Sequence, residues 1–349
     1  LTGNPEITFF KVVYRRHTNF AMESIRQNFN GSASWGSRAT ATISRNGDLI
    51  TRCYLQATLP NDINGSNAEW CDSIGHKLIK EVELEIGGQL IDRHYAEWLE
   101  IWSELTLPTE KASGYADMVG KTDFRGKETT PKSGDTVFVP LQFFFCRNPG
   151  LALPLIAMQY HEVKLTFNFE SGQNCVKDDY PSPDKFSPEL WVDYVYLDTD
   201  ERRRFAQVQH NMLVDQLQYN GGSSNDTIDL TFNHPCKELV WVCQDTNAKG
   251  FDFECGSSNV QGGPIESAML KLNGHDRFEK RNGAYFHLVQ PYQHHTRCPR
   301  KYVYCYSFAL SPEEHQPSGS CNFSRIDNAR LILERDNNSG SGTNKVFAV

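Results

Sequence analysis

The sequence predicts an all-β protein built as two tandem copies of one domain, and three observations carry that prediction. Glu81–Trp98 (EVELEIGGQLIDRHYAEW) alternates Val82, Leu84 and Ile86 with Glu81, Glu83 and Glu85, the period of a strand with one buried and one wet face. Leu270–His275 repeats the plan, with Asn273-Gly274 standing where the first stretch has Gly87-Gly88; both dipeptides suit a two-residue hairpin because they tolerate positive φ. Other anchors recur in the same order: Phe29-Asn30-Gly31 with Tyr219-Asn220-Gly221, Asp48-Leu49-Ile50 with Glu238-Leu239-Val240, and Val163-Lys164-Leu165 with Ala329-Arg330-Leu331. The spacing between partners drifts, as insertions in surface loops would make it do. Ile86 and Leu272 should therefore be equivalent core positions.

Composition sets the frame. A chain of 349 residues exceeds one typical core and suits two domains. A net charge of −8 argues against a nucleic-acid binder, which needs a basic surface. No stretch approaches the roughly 20 apolar residues of a membrane helix; Pro149–Tyr160 comes nearest and carries Pro149 and Pro154. No basic region followed by an apolar run marks a signal peptide, and the chain begins at Leu1 rather than Met, as a processed or partial sequence would. The ten cysteines are too dilute for a disulfide scaffold, contain no C-x-x-C pair, and are expected as reduced thiols packed like small hydrophobes in a cytoplasmic protein.

Along the chain, residues 1–21 read as an arm, with Phe9, Phe10, Val13 and Tyr14 able to line a helical turn. Residues 22–199 form the first copy. Strands are expected from Met22 to Leu59, with hairpin turns at Asn30-Gly31 and Asn46-Gly47. Tyr95, Trp98, Leu99, Trp102 and Leu105 recur at three and four, a short helix ending near Pro108 whose aromatic stripe should lie as a lid on a β core. Glu110–Gly134 reads as a long surface loop, Val137–Phe145, His161–Glu170 and Trp191–Leu197 as strands, and Ser171–Ser187 as a second loop.

Residues 200–207 (DERRRFAQ) read as a charged, helix-competent linker. Its three arginines have Asp198, Asp200 and Glu201 beside them as ion-pair partners. Residues 208–349 form the second copy: Ile228, Leu230 and Phe232 alternate, Leu239–Val242 follows, Cys243–Gly263 is a glycine-rich loop, and Tyr302–Phe308 and Ala329–Leu333 are strands. Asn337–Asn344 reads as a flexible run before a strand at Val346–Val349 that starts and stops.

Catalytic patterns are absent. Gly114–Thr122 superficially resembles a phosphate-binding loop, but five residues separate Gly114 from Gly120 where that loop has four. No G-x-S-x-G or H-E-x-x-H occurs. The one histidine pair, His294-His295, would point to opposite faces if it lay on a strand. Sequons at Asn30, Asn64, Asn225, Asn322 and Asn337 are candidate glycosylation sites.

Longer blocks carry a resemblance: LTGNPEITFFKVVYRRHTNFAMESI (Leu1–Ile25), ISRNGDLI (Ile43–Ile50), VELEIGGQLIDRHY (Val82–Tyr95), NPGLALPLIAMQYHEVKL (Asn148–Leu165), WVDYVYLDTDERRRFAQ (Trp191–Gln207), LNGHDRF (Leu272–Phe278) and QPSGSCNFSRIDNA (Gln316–Ala329). Over nearly its whole length the chain resembles the major capsid proteins of nucleocytoplasmic large DNA viruses, of the phycodnavirus or chlorella-virus type. That resemblance implies two tandem eight-stranded jelly rolls. It implies a structural subunit without enzymatic activity, catalytic residues, cofactor or metal, forming homotrimers that act as pseudo-hexagonal capsomers of an icosahedral shell. Neighbouring capsomers and minor capsid proteins would be its partners. The shell would lie over the virion's internal membrane without direct nucleic-acid binding, its subunits made in the host cytoplasm.

The sequence departs from the family in looking short in the second-copy loops and in stopping where relatives continue. The second jelly roll is therefore expected to be truncated at its C-terminus, leaving an unpaired apolar edge. A glycan-binding, lectin-like β-sandwich is the alternative reading, and a cupin-like metalloenzyme a third.

Overall fold

The computed structural model describes residues 6–8, 11–13, 17–60, 69–121, 134–177, 183–257, 259, 261–336 and 339–349. Its first half contains β1 (Phe20–Gln27), β2 (Arg38–Thr42), β3 (Leu49–Thr58), β4 (Ile79–Ile86), β5 (Gln89–Tyr95), β6 (Thr136–Pro140), β7 (Val163–Phe169) and β8 (Ser187–Leu197). They make two antiparallel sheets, ordered β1-β8-β3-β6 and β2-β7-β4-β5, with the short strand Leu153–Pro154 added beside β3. Inward residues of the two sheets, among them Leu55, Val139 and Val192 from one and Ala41, Leu84 and Phe167 from the other, form one buried core.

The second half contains β9 (Gln218–Ser223), β10 (Thr227–Asp229), β11 (Glu238–Asp245), β12 (Ile265–Leu272), β13 (His275–Asn282), β14 (Tyr304–Ser307), β15 (Ala329–Arg335) and β16 (Gly342–Ala348). Its sheets run β9-β16-β11-β14 and β10-β15-β12-β13. Adding eight to each strand number of the first pair of sheets gives the second pair, so the two halves share one double-sheet, jelly-roll topology. Leu239, Trp241 and Val346 face Leu270 and Leu331 across the second core.

The repeat holds at the level of register. Ile86 pairs with Val163 and, across the turn, with Gln89; Leu272 pairs with Ala329 and His275. Leu49-Ile50 face Val195-Tyr194, as Leu239-Val240 face Ala348-Phe347. Both hairpin turns take two consecutive left-handed residues, φ 59° and 83° at Gly87-Gly88 and 51° and 80° at Asn273-Gly274, the geometry that matches the twist of a tight hairpin.

Several expectations are corrected. The C-terminal run does not leave an open edge: β16 is paired on both sides, with β9 and with β11, and its polar residues find partners, Asn344 Nδ2 donating to the Asn225 carbonyl and Lys345 Nζ to Glu97. The arm's Lys11–Val13 is not a helical turn but pairs with Glu6–Thr8 as an antiparallel hairpin; Phe9, Phe10 and Tyr14 lie outside the described residues. Asn46-Gly47 is a corner, since β2 and β3 belong to different sheets. The expected strand Val137–Phe145 stops at Pro140 and turns into α4 (Phe144–Arg147), and part of the expected Glu110–Gly134 loop is helical.

Of the ten thiols, seven are buried, Cys146 and Cys321 are half-buried and Cys298 is exposed. Most therefore act as the small apolar side chains their sequence context suggested.

Candidate functional site at the seam between the two halves

Among the described residues no group of three His, Cys, Asp or Glu side chains is placed to hold a metal ion. The elements with most chemistry are the helices joining the sheets: α1 (Ile74–Leu78), α2 (Ala96–Thr106), α3 (Ala112–Val119), α4, α5 (Thr199–Gln207) and α6 (Gln290–His294).

Helix α2 is amphipathic with two apolar faces rather than one. Leu99 belongs to the first core, while Trp98, Ile101, Trp102 and Leu105 pack on Val240, Val242, Phe251, Phe253, Val303 and Phe347 of the second half. The helix is thus a wedge between the halves, where its stripe suggested a lid on one core. It covers the outer face of the sheet whose inner face lines the second core. Strand β11 is consequently buried on both sides from Glu238 to Gln244, and its unbroken apolar run LVWVC is the sequence signal for that.

A buried charge network locks this seam. Glu100 is wholly buried, and its carboxylate meets His76 Nδ1 at 2.7 Å, Lys121 Nζ at 2.8 Å and Lys301 Nζ at 2.8 Å. His76 continues to the Tyr115 hydroxyl at 2.8 Å. Glu104, one turn on, pairs with Lys121 and accepts from the Arg300 backbone N–H at 3.0 Å, and Lys301 also reaches Asp72 at 3.2 Å. Burial alone would raise the Glu100 carboxyl, but Lys121, Lys301 and His76 outweigh it and hold the group well below the usual carboxylate range. Lys301 comes from the second half, so each half supplies charge that the other must neutralise. Lys121, the lysine of the phosphate-loop look-alike, is occupied by these two carboxylates, and Gly120 before it closes α3 with φ 71°; Thr122 lies outside the described residues.

A second buried triad sits within the second half. His294 and His295 end α6 rather than lying on a strand. His295 is clamped between Glu238 (Nε2 to Oε2, 2.8 Å) and Glu313 (Nδ1 to Oε1, 2.9 Å). Burial opposes its charge, yet the two carboxylates push its pKa up to about 12. The pair is a structural ion cluster and not a two-histidine ligand set.

One connector arginine finds a partner other than the neighbouring acids. Arg202 pairs with Asp48, the residue before β3, at 3.0 Å rather than with the neighbouring acids, and Asp198 instead caps α5 by accepting from the Thr199 N–H. Among the sequons, Asn30 and Asn225 are exposed, whereas Asn322 is half-buried and its side chain accepts from the Ser324 N–H at 3.0 Å. Asn64 and Asn337 lie outside the described residues. Among the described residues, the sequons, the histidine pair and the phosphate-loop look-alike are not brought together.

Comparison with known proteins identifies the fold's relatives. Residues 8–198 match the family described as major capsid protein N-terminus, and residues 201–349 the large eukaryotic DNA virus major capsid protein family. The chain is 51% identical to the major capsid protein of Pyramimonas orientalis virus, covering 100% of this chain and 91% of the relative. It is 43% identical to that of Paramecium bursaria Chlorella virus 1, covering 95% and 83%. Its structure superposes on a chain of the quasi-atomic PBCV-1 virus capsid with a TM-score of 0.86 and 37% identity, over 98% of this chain and 95% of that one. The Faustovirus major capsid protein shares the fold at 12% identity, with a TM-score of 0.77 over 98% and 92%. Two copies of one jelly roll locked along a charged seam, in a sequence this close to those relatives, place the chain in the family of major capsid proteins of large eukaryotic DNA viruses.

Proposed function

We propose that this chain is the repeating subunit of an icosahedral virion shell, three copies closing into a capsomer of six-fold outline. The duplicated sandwich carries this reading: a trimer of chains with two like jelly rolls each presents six similar prisms, and a heterologous contact from the first half of one copy to the second half of the next closes after three. In this reading residues 1–21 are an arm, 22–199 and 208–349 the two jelly rolls and 200–207 the connector. The role is geometric and non-enzymatic.

The buried seam supports rigidity within the subunit, and neighbouring capsomers and minor capsid proteins would be held through the arm and the loops. The acid balance of the chain, −8, favours a shell lying over the virion's internal membrane without direct contact to nucleic acid. Synthesis is assigned to the host cytoplasm, and if sugars are attached, the exposed Asn30 and Asn225 are the described sequons open to them. Size-exclusion chromatography with light scattering on the full chain tests this: three times the 39.7 kDa chain mass is expected, and a monomer at neutral pH would return weight to the lectin-like reading.

A further inference from the structure

Cys243 in β11 and Cys255 in the loop that follows are twelve residues apart in sequence, and their Sγ atoms lie 3.5 Å apart in the interior. Cys255 holds a left-handed φ of 50°, which non-glycine residues seldom adopt. It is fixed there from both sides: its N–H donates to Asp252 Oδ1 at 3.3 Å and its carbonyl accepts from the Gly340 N–H at 2.7 Å. Its thiol points at Cys243, donating to the Cys243 carbonyl at 3.3 Å and to Cys243 Sγ. Gly342 of β16 makes the room: a Cβ there would sit 2.4 Å from Cys243 Sγ and 2.9 Å from Cys255 Sγ. A disulfide needs sulfurs about 2.05 Å apart, so a change of side-chain rotamer within the pocket has to close the remaining gap.

We infer that Cys243 and Cys255 are an oxidation site, a dithiol that a peroxide-class oxidant converts to an intramolecular disulfide fastening the 246–255 loop to the sheet. The proposal does not depend on the assembly reading. The Cys255 thiol's hydrogen bond holds the Cys243 thiol below its ordinary value against burial, with Arg335 assisting, while the same contact and burial push Cys255 up; Cys243 is therefore the attacking sulfur. Its thiolate takes one oxygen of hydrogen peroxide as the O–O bond breaks, giving a sulfenic acid and hydroxide, which the Cys243 proton turns into water. The Cys255 sulfur then attacks the Cys243 sulfur, and its proton leaves with the sulfenic hydroxyl as a second water. Two thiols lose two electrons and one peroxide gains them.

The test treats the purified full chain with hydrogen peroxide, alkylates the remaining thiols in denaturant and maps them by mass spectrometry. The expected result is loss of two of the ten alkylatable thiols, a peptide pair joined through Cys243 and Cys255, and recovery of both thiols on treatment with dithiothreitol. In Cys255→Ser the Cys243 sulfenic acid should accumulate and be trapped by dimedone, while Cys243→Ser should give no such adduct at Cys255. All ten thiols remaining alkylatable, or a cross-link between any other pair, would overturn the inference without needing either variant to fold.

Discussion

Ile86 and Leu272 occupy the same place in two copies of one sheet: each ends its strand, opens a two-residue left-handed turn and sits half-buried at the rim of its core. Each also faces the first residue of the strand on its other side, Val163 or Ala329.

That equivalence predicts equal penalties at equivalent turns. Gly88 and Gly274 have φ of 83° and 80°, and a Cβ at either would meet nothing within 4 Å. Gly88→Val and Gly274→Val should therefore act through the backbone alone, each lowering stability by about 1–2 kcal/mol. Urea unfolding of the two variants checks this; one substitution tolerated and the other severe would break the correspondence.

The seam predicts a larger effect. Lys301→Met removes a cation from the buried Glu100 carboxylate and should cost about 3 kcal/mol, the low end for breaking a buried pair because Lys121 and His76 remain. Adding Glu100→Gln should recover part of the loss. Chemical denaturation of both variants measures it, and a neutral Lys301→Met would show that the network does not lock the halves.

The repeat was legible because its signals are local: strand alternation and turn dipeptides lie within a few residues of each other. The second face of α2 was not, since Trp98 and Trp102 find Val240 and Phe347 only once the chain has folded, although the unbroken apolar run of β11 marked a strand covered on both sides. The first part of β16 was hidden because Asn344 and Lys345 look like loop residues until Asn225 and Glu97 receive them. His295 was misplaced for want of any local sign that His294-His295 ends a helix. The Glu100 cluster was likewise unreadable, its members being drawn from segments as distant as His76 and Lys301.

Stability should pass through a maximum in mildly acidic solution. Glu100 and Glu104 are held below their ordinary value of 4.5, so their contribution is present above that pH and lost as pH falls through their folded values. His295 is raised from 6.5 to about 12, so its contribution is full below 6.5 and is lost as pH climbs toward 12. Thermal melts across pH should peak between 4.5 and 6.5, and His295→Gln should flatten the alkaline limb; an unchanged alkaline limb would count against the clamped imidazolium.

Removing residues 1–16 should spare the fold and weaken assembly. Strand β1 begins at Phe20, which pairs with Leu197 just before α5, so the chain enters the sandwich beside the connector. Melting temperature should stay within the scatter of the full chain while shell or capsomer-array formation falls. An equal loss of both would make the arm part of the fold.

In the proposed capsomer, two like jelly rolls in one chain give a three-fold particle a six-fold outline. Electron microscopy of the purified native oligomer, viewed down its symmetry axis, tests it most directly. Six near-equal lobes around a three-fold axis are predicted; single two-lobed chains, or a particle with three lobes or two-fold symmetry, would contradict it.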